Sequence, residues 1–335
     1  VSLEPARSAR RALPVAIALT AGGCAWNLPQ SSLVAHSDYA RAILHVYAII
    51  VWVAVGIATL VAAILIWVLL RYRGGVGAPL PRQIRGHSAL EIAWTIAPAI
   101  VLLVIAVPTI EVVFRTQAPA PPGALEVVVH ARQWWWDFEY PSLGVTTANE
   151  PHLPLGRPVT LRLEGDDVIH SFWVPGLGGK RDVVPGRTNV ITFTPDTPGE
   201  YPGQCAEFCG TSHANMGMRV FVDPPDAFAR WVAGQRSAPV EPAGDEAAQG
   251  KTVFARNACV GCHTIRGVSG GVLGPDLTHF GSRTTLAGGL LANTAANVAA
   301  WVRDPGALKP GAKMPNLGLS EADARALAQY LVGLK

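Results

Sequence analysis

Between Ile43 and Leu70 the chain runs for 28 residues without an aspartate, glutamate, lysine or arginine, bounded by Arg41 on one side and Arg71 and Arg73 on the other. As a helix rising 1.5 Å per residue, such a run is roughly 42 Å long, more than a bilayer core of about 30 Å requires. A second charge-free run of 19 residues extends from Ile92 to Ile110, between Glu91 and Glu111. It matches the roughly 20 residues a span needs. Pro98 and Pro108 would break a soluble helix, but spanning helices tolerate proline when neighbours re-satisfy the freed backbone. Together the runs predict a two-helix transmembrane hairpin over residues 42–115. The competing reading is a pair of buried core helices in a soluble protein.

The connection between the runs carries Arg71, Arg73, Arg82 and Arg85 and no acid. By the positive-inside rule this short loop is cytoplasmic, which puts everything from Phe114 onward in an oxidising, extracytoplasmic space. Upstream, Arg7, Arg10 and Arg11 precede the apolar stretch from Leu13 to Ala21 and then Gly22-Gly23-Cys24. Residues 1–24 therefore read as a secretory signal. The small residues before Cys24 are similar to a lipoprotein processing site, although Ala21 stands where leucine is usual.

Composition narrows the classes further. Half the chain is hydrophobic and only 15% is charged, which excludes a disordered chain. A net charge of +3 without any Lys/Arg-rich run gives no footprint for nucleic acid. Five cysteines in 335 residues are too few for a disulfide scaffold.

The polar remainder falls into two parts. Residues 123–232 contain short β-branched runs, Leu125 to Val129, Val159 to Leu163, Val190 to Phe193 and Met218 to Val222. Pro/Gly/Asp/Asn clusters separate them, which predicts an antiparallel sandwich or barrel. Residues 233–248 are rich in Ala, Pro, Gly and Gln and read as a linker. From 249 to 335 the pattern is helical, and it ends in an amphipathic segment that Ser320 caps, with Asp323 at the capping-box position.

Within the β part, Cys205, Cys209, His213 and Met216 lie inside twelve residues, with Glu207 between the cysteines. Thiolate, imidazole and thioether together select copper. Two thiolates in one loop can bridge two ions, and a second imidazole is then needed from a neighbouring strand; His170 is the candidate. A Cys205–Cys209 disulfide and a zinc site are the alternatives, but the disulfide leaves His213 and Met216 unexplained and methionine is a poor zinc ligand. Met218 reads as packing, and His130 and His152 as ordinary histidines.

In the helical part, Cys259-Val-Gly-Cys262-His263 fits the C-x-x-C-H pattern of covalent haem attachment, with a redox or zinc pair as the alternative. His263 would be the proximal ligand and Met314 the second axial ligand; His279 is its rival. Gly274-Pro275-Asp276-Leu277 resembles the class I cytochrome c fold, in which the prolyl carbonyl orients the proximal histidine. That resemblance implies a helix crossing built from Gly250, Phe254 and Tyr330. Residues 123–240 carry 9 Lys/Arg against 13 Asp/Glu, net −4, whereas residues 245–335 carry 9 against 6, net +3. Opposite signs favour docking of the two parts.

From the first span to about Trp231 the chain resembles subunit II of the haem–copper oxygen reductases. The motifs are the Cys-x-Glu-x-Cys-x3-His-x2-Met block, Asp167 to Gly186 around His170, Gln133-Trp134-Trp135-Trp136-Asp137-Phe138-Glu139-Tyr140, and Glu91-Ile-Ala-Trp94-Thr95-Ile-Ala-Pro98. The resemblance implies a cupredoxin β-barrel on the helix hairpin, followed here by an all-α cytochrome c domain. It implies a mixed-valence dicopper centre, CuA, held by His170, Cys205, Cys209, His213 and Met216, with the backbone carbonyl of Glu207. The Glu207 carboxylate would face a magnesium ion shared with subunit I. Trp134 would be where electrons come in from cytochrome c, and Glu91 would sit at the mouth of a proton channel. The bland reading of Glu91 is a helix N-terminal acid favoured by the dipole.

The function implied is electron delivery from haem c, or an external cytochrome c, through CuA to the haem–copper centre of subunit I, with oxygen reduced to water and protons translocated. Subunits I and III and an upstream cytochrome c or quinol–cytochrome c reductase are the implied partners. The implied location is the bacterial inner membrane with both redox domains on the periplasmic side. A CuA-containing nitric oxide reductase is the alternative.

Overall fold

The computed structural model describes residues 28–73 and 83–335. The signal segment and Cys24 lie outside the described residues, as does part of the arginine-bearing connection. Two long helices come first, α1 (Asp38–Arg71, 34 residues) and α2 (Ser88–Thr116, 29 residues). Both are long and apolar enough to cross a membrane, and their central windows bury nothing within the chain. Neither Pro98 nor Pro108 interrupts α2.

The outer end of α1 is sewn to the β part. Ser37 caps the helix by accepting from Ala40 N–H at 3.0 Å, and its hydroxyl donates to Leu177 O at 2.7 Å. Asp38 accepts from Thr194 N–H at 2.7 Å, and Arg41 pairs with Asp196. Tyr39 lies flat against Gly178, where any Cβ would strike its ring. The hairpin and the β domain are thereby fixed to each other on the outer side.

Ten strands follow: β1 (Leu125–Arg132), β2 (Trp135–Tyr140), β3 (Val145–Ala148), β4 (His152–Pro154), β5 (Val159–Gly165), β6 (His170–Trp173), β7 (Arg181–Val183), β8 (Asn189–Phe193), β9 (Gly199–Cys205) and β10 (Gly217–Asp223). They form two five-stranded sheets, in orders β3-β2-β1-β5-β8 and β4-β10-β9-β6-β7. Trp136, Phe138, Leu161, Leu163, Phe172 and Val220 fill the space between the sheets. Alternation is clean in β10, where Met218, Val220 and Val222 point inward.

The sandwich is mixed rather than purely antiparallel. β1 pairs with β5 in parallel, and so does β10 with β4. A parallel pair needs a long crossover instead of a hairpin turn. The β2–β4 segment supplies one between β1 and β5. The stretch expected as a linker, 233–248, is helical at both ends. α3 (Pro225–Arg236) runs into it and α4 (Asp245–Arg256) starts inside it, leaving 237–244. Apolar residues decide this, because Trp231 on α3 stacks on His152 at a centroid distance of 4.5 Å and anchors the helix to the sandwich.

The C-terminal domain adds α5 (Cys259–Cys262), α6 (Ala295–Arg303), α7 (Pro305–Leu308) and α8 (Glu321–Gly333). Ser320 Oγ accepts from Asp323 N–H at 3.0 Å and starts α8. α4 crosses α8 at Gly250, where a Cβ would overlap the Ala326 carbonyl, and Phe254 meets Tyr330 one turn on. Gly250→Ala should therefore cost about 3 kcal/mol, the upper end for overpacking. A thermal melt followed by circular dichroism would show it, and an unshifted C-terminal transition would mean that the crossing is not tight.

Candidate copper and haem centres

β6 and β9 are antiparallel neighbours with Phe172 opposite Cys205. That register carries His170, at the start of β6, to the end of β9, so residues 35 apart in sequence share one pocket. The loop after β9 then folds back through a short 3-10 turn, His213–Asn215, into β10. The Cys205 and Cys209 sulfurs lie 3.8 Å apart. His170 Nδ1 is 3.9 Å from Cys205 Sγ; His213 Nδ1 is 3.5 Å and Met216 Sδ 3.9 Å from Cys209 Sγ. The Glu207 carbonyl is 3.2 Å from Cys205 Sγ. Both cysteines are free and buried, and their sulfur separation is far from the roughly 2.05 Å of a disulfide.

This donor set fits copper. Two thiols, two imidazoles, a thioether and a carbonyl converge in an apolar setting, and the thiols are the common centre of the group. The pair releases its first proton easily at Cys205, because the Cys209 thiol and the His170 ring hydrogen-bond the resulting thiolate. The charge of that thiolate pushes the Cys209 thiol upward. Burial opposes a charge on His170, yet its bonds to Cys205 and Asp167 outweigh burial and raise its pKa.

Asp167 is a functional residue that pattern reading passed over, although it stands three positions before His170. Its Oδ1 lies 2.8 Å from His170 Nε2 and its Oδ2 accepts from Gln133 N–H at 2.7 Å. The carboxylate thus fixes the ring so that Nδ1 faces the sulfurs, the outer-partner role that metal-binding histidines generally require. Asp167→Asn should weaken copper binding by about 10–100-fold. Competition against a chelator would measure it, and unchanged affinity would remove Asp167 from the site.

The second site is a cavity of about 730 Å³ between the β domain and the C-terminal domain. Cys259, Cys262, His263 and Met314 line it from one side, and Arg132, Trp134 and Trp135 from the other. His263 Nδ1 is held by the Pro275 carbonyl at 2.8 Å, which leaves Nε2 free for a metal. Burial lowers the pKa of His263, so the ring is available in its neutral, ligating form. Gly274 is required beside it, since a Cβ there would stand 2.6 Å from His263 Cε1. The cavity's size, its apolar walls and the presence of both His263 and Met314 in its lining fit a haem. His279 does not line it.

Trp134 belongs to both sites. Its indole Nε1 donates to Cys209 O at 3.0 Å, Gln133 Nε2 donates to the same oxygen at 2.7 Å, and the Trp134 ring also lines the cavity. The C-terminal domain covers it, leaving it 7% exposed. Trp136 is core, whereas Trp135 borders the cavity and stacks under Arg132. Glu91 Oε1 accepts from His87 N–H at 3.2 Å and so closes the start of α2, a structural job in its own right. Glu207 is half-buried beside the candidate copper ligands, with its carbonyl turned toward Cys205 Sγ.

Three family models match the chain. Residues 26–112 match the model for the cytochrome c oxidase subunit II transmembrane domain, residues 145–222 that for its periplasmic domain, and residues 247–335 that for cytochrome c. The matches imply a copper centre in the β domain and a haem in the C-terminal domain. A cytochrome c oxidase subunit 2 of Alkalihalophilus pseudofirmus is 41% identical over 286 residues, covering 83% of each chain. That of Bacillus subtilis is 34% identical over 294 residues, covering 81% of this chain and 82% of the other. Among solved structures, the periplasmic domain of subunit II of cytochrome oxidase from Bradyrhizobium japonicum is 30% identical, with a TM-score of 0.34, covering 35% of this chain and 97% of that one. With two spanning helices, a periplasmic β domain and relatives of matching length, the chain belongs to the cytochrome c oxidase subunit II family.

Proposed function

We propose that this chain takes up electrons at a covalently attached haem, passes them through CuA, and delivers them to the haem–copper centre of subunit I. There oxygen is reduced to water and protons are translocated. His170, Cys205, Cys209, His213 and Met216, with the Glu207 carbonyl, would hold the two copper ions. Cys259, Cys262, His263 and Met314 would hold the haem, the two cysteines through thioether bonds. When bound, the two groups supply reversible one-electron chemistry.

The chain's own residues do the positioning. Asp167 orients His170, and the Pro275 carbonyl sets the tautomer of His263. The Glu207 carboxylate would be this chain's contribution to a magnesium ion shared with subunit I, and Glu91 would serve proton uptake at the cytoplasmic face. Subunit III, and a cytochrome c or quinol–cytochrome c reductase upstream, complete the set of partners. The chain would be a multi-pass protein of a bacterial inner membrane.

The observation that carries this reading is Trp134, one side chain that lines the haem cavity and hydrogen-bonds the backbone of a copper ligand. Trp134→Leu should slow haem-to-copper electron transfer while leaving both absorption spectra in place, because it removes a side chain that lines the cavity and hydrogen-bonds the Cys209 carbonyl. Flash photoreduction of the purified complex measures it, and an unaltered rate would reject Trp134 as the route. Oxygen turnover with proton ejection by the same complex tests the wider assignment.

A further inference from the structure

The contact between the two redox domains contains two buried charged side chains, one contributed by each domain. Glu150, just after β3, is 4% exposed. Its carboxylate accepts four hydrogen bonds from the C-terminal domain: Thr284 N–H at 2.8 Å, Thr284 Oγ1–H at 2.9 Å, Thr285 N–H at 2.7 Å and Thr285 Oγ1–H at 2.5 Å. Lys309, just after α7, is also 4% exposed. Its ammonium donates to the Trp134 carbonyl at 2.6 Å across the interface and to Ala287 O at 2.8 Å within its own domain. Gly217 N–H reaches Gly288 O at 2.9 Å, and Ser212 Oγ–H reaches Pro310 O at 2.5 Å. At the rim, Lys313 pairs with Asp167 at 3.3 Å but is 60% exposed.

We propose that Glu150 and Lys309 form a reciprocal latch that seats the C-terminal domain over Trp134 in one fixed register. They are positioning residues for haem-to-copper electron transfer, and the proposal rests on the reading above. A tethered domain that merely swings on its linker would be steered by exposed, opposite charges. Such contacts act mainly on encounter, whereas hydrogen-bonded charges buried within an interface act on how long the partners stay together. Here every acceptor position used on the Glu150 carboxylate is filled by the other domain, and the Lys309 bond grips the backbone of Trp134 itself. A domain held this way does not need to search for its acceptor. The step it serves moves one electron from reduced haem to oxidised copper, with no bond made or broken.

The test is flash photoreduction of the haem in the intact oxidase complex, at varied viscosity and ionic strength. In the unmodified complex the haem-to-copper rate should be insensitive to both. Glu150→Gln with Lys309→Met should lower that rate about tenfold and make it viscosity-dependent, as expected when buried, hydrogen-bonded charges are removed from an interface. Haem and copper absorption spectra should persist. Thr284→Val with Thr285→Val removes two donors without altering a charge, and should act in the same direction if the variants of the charged pair fold poorly. Arg325→Ala, which removes an exposed pair with Glu321 inside the C-terminal domain, should change the rate less than about twofold, as exposed pairs do. Equal rates in all variants, or viscosity dependence already present in the unmodified complex, would overturn the latch while leaving the electron route standing. Absence of any haem-to-copper transfer in the unmodified complex would overturn the route and the latch together.

Discussion

Cys205→Ser is expected to abolish the dicopper absorption and EPR signals and to leave the haem spectrum intact. Cys205 is the central donor of its site: Cys209 Sγ, His170 Nδ1 and the Glu207 carbonyl all lie within 3.9 Å of its sulfur. Serine offers a harder, weakly acidic oxygen in place of the soft thiolate that would suit copper. Outer partners of metal ligands are worth roughly 10–100-fold in affinity, so loss of a direct ligand should exceed about 100-fold. Oxygen consumption by the complex should fall with it, while haem reduction by an added donor continues. Stoichiometric copper in the purified variant would refute the ligand set.

Met314→Ala is expected to turn the haem into a high-spin or water-ligated form. Met314 lines the same cavity as His263, whose Nδ1 is committed to Pro275. Axial ligands command a span of roughly 0.8 V in haem proteins, and replacing a thioether by water should lower the potential by on the order of 0.1 V. A redox titration with a visible spectrum checks both effects. Because His279 does not line the cavity, it cannot take over the vacated position, and an unchanged low-spin spectrum would mean that Met314 was never bound. The cysteine variant leaves electrons stranded on the haem; the methionine variant makes the haem a poorer acceptor from its donor. The two failures are separable by which centre stays reduced.

Much of this site is legible in the sequence because its donors are local. Cys205, Glu207, Cys209, His213 and Met216 occupy one loop, and Cys259, Cys262 and His263 one helical turn with its neighbour. The helix spans are legible for a similar reason, since crossing a bilayer imposes a length and an absence of charge that no packing detail can override. His170 could be named only as a strand-borne imidazole of the right kind. Its place beside Cys205 depends on strand register, which the hydrophobic alternation fixes but a single sequence does not display.

What escaped the sequence is what acts across long separations. Glu150 looks like one more loop acid, yet it is bound by residues 134 and 135 positions away. Lys309 reads as a surface cation and is buried against Trp134, 175 positions away, where burial pushes its pKa down to about 8. The parallel pairing of β1 with β5 and the helical ends of the presumed linker belong to the same class. By itself the sequence determined the two long apolar helices, the local cysteine, histidine and methionine motifs and the opposite charges of the two redox domains. Periodicity, chemistry and short spacing all act within a few residues. Only the tertiary structure decided that Trp134 lies beneath the haem domain and that Glu150 and Lys309 hold it there, because hydrogen bonds between separately folded domains depend on which surfaces meet.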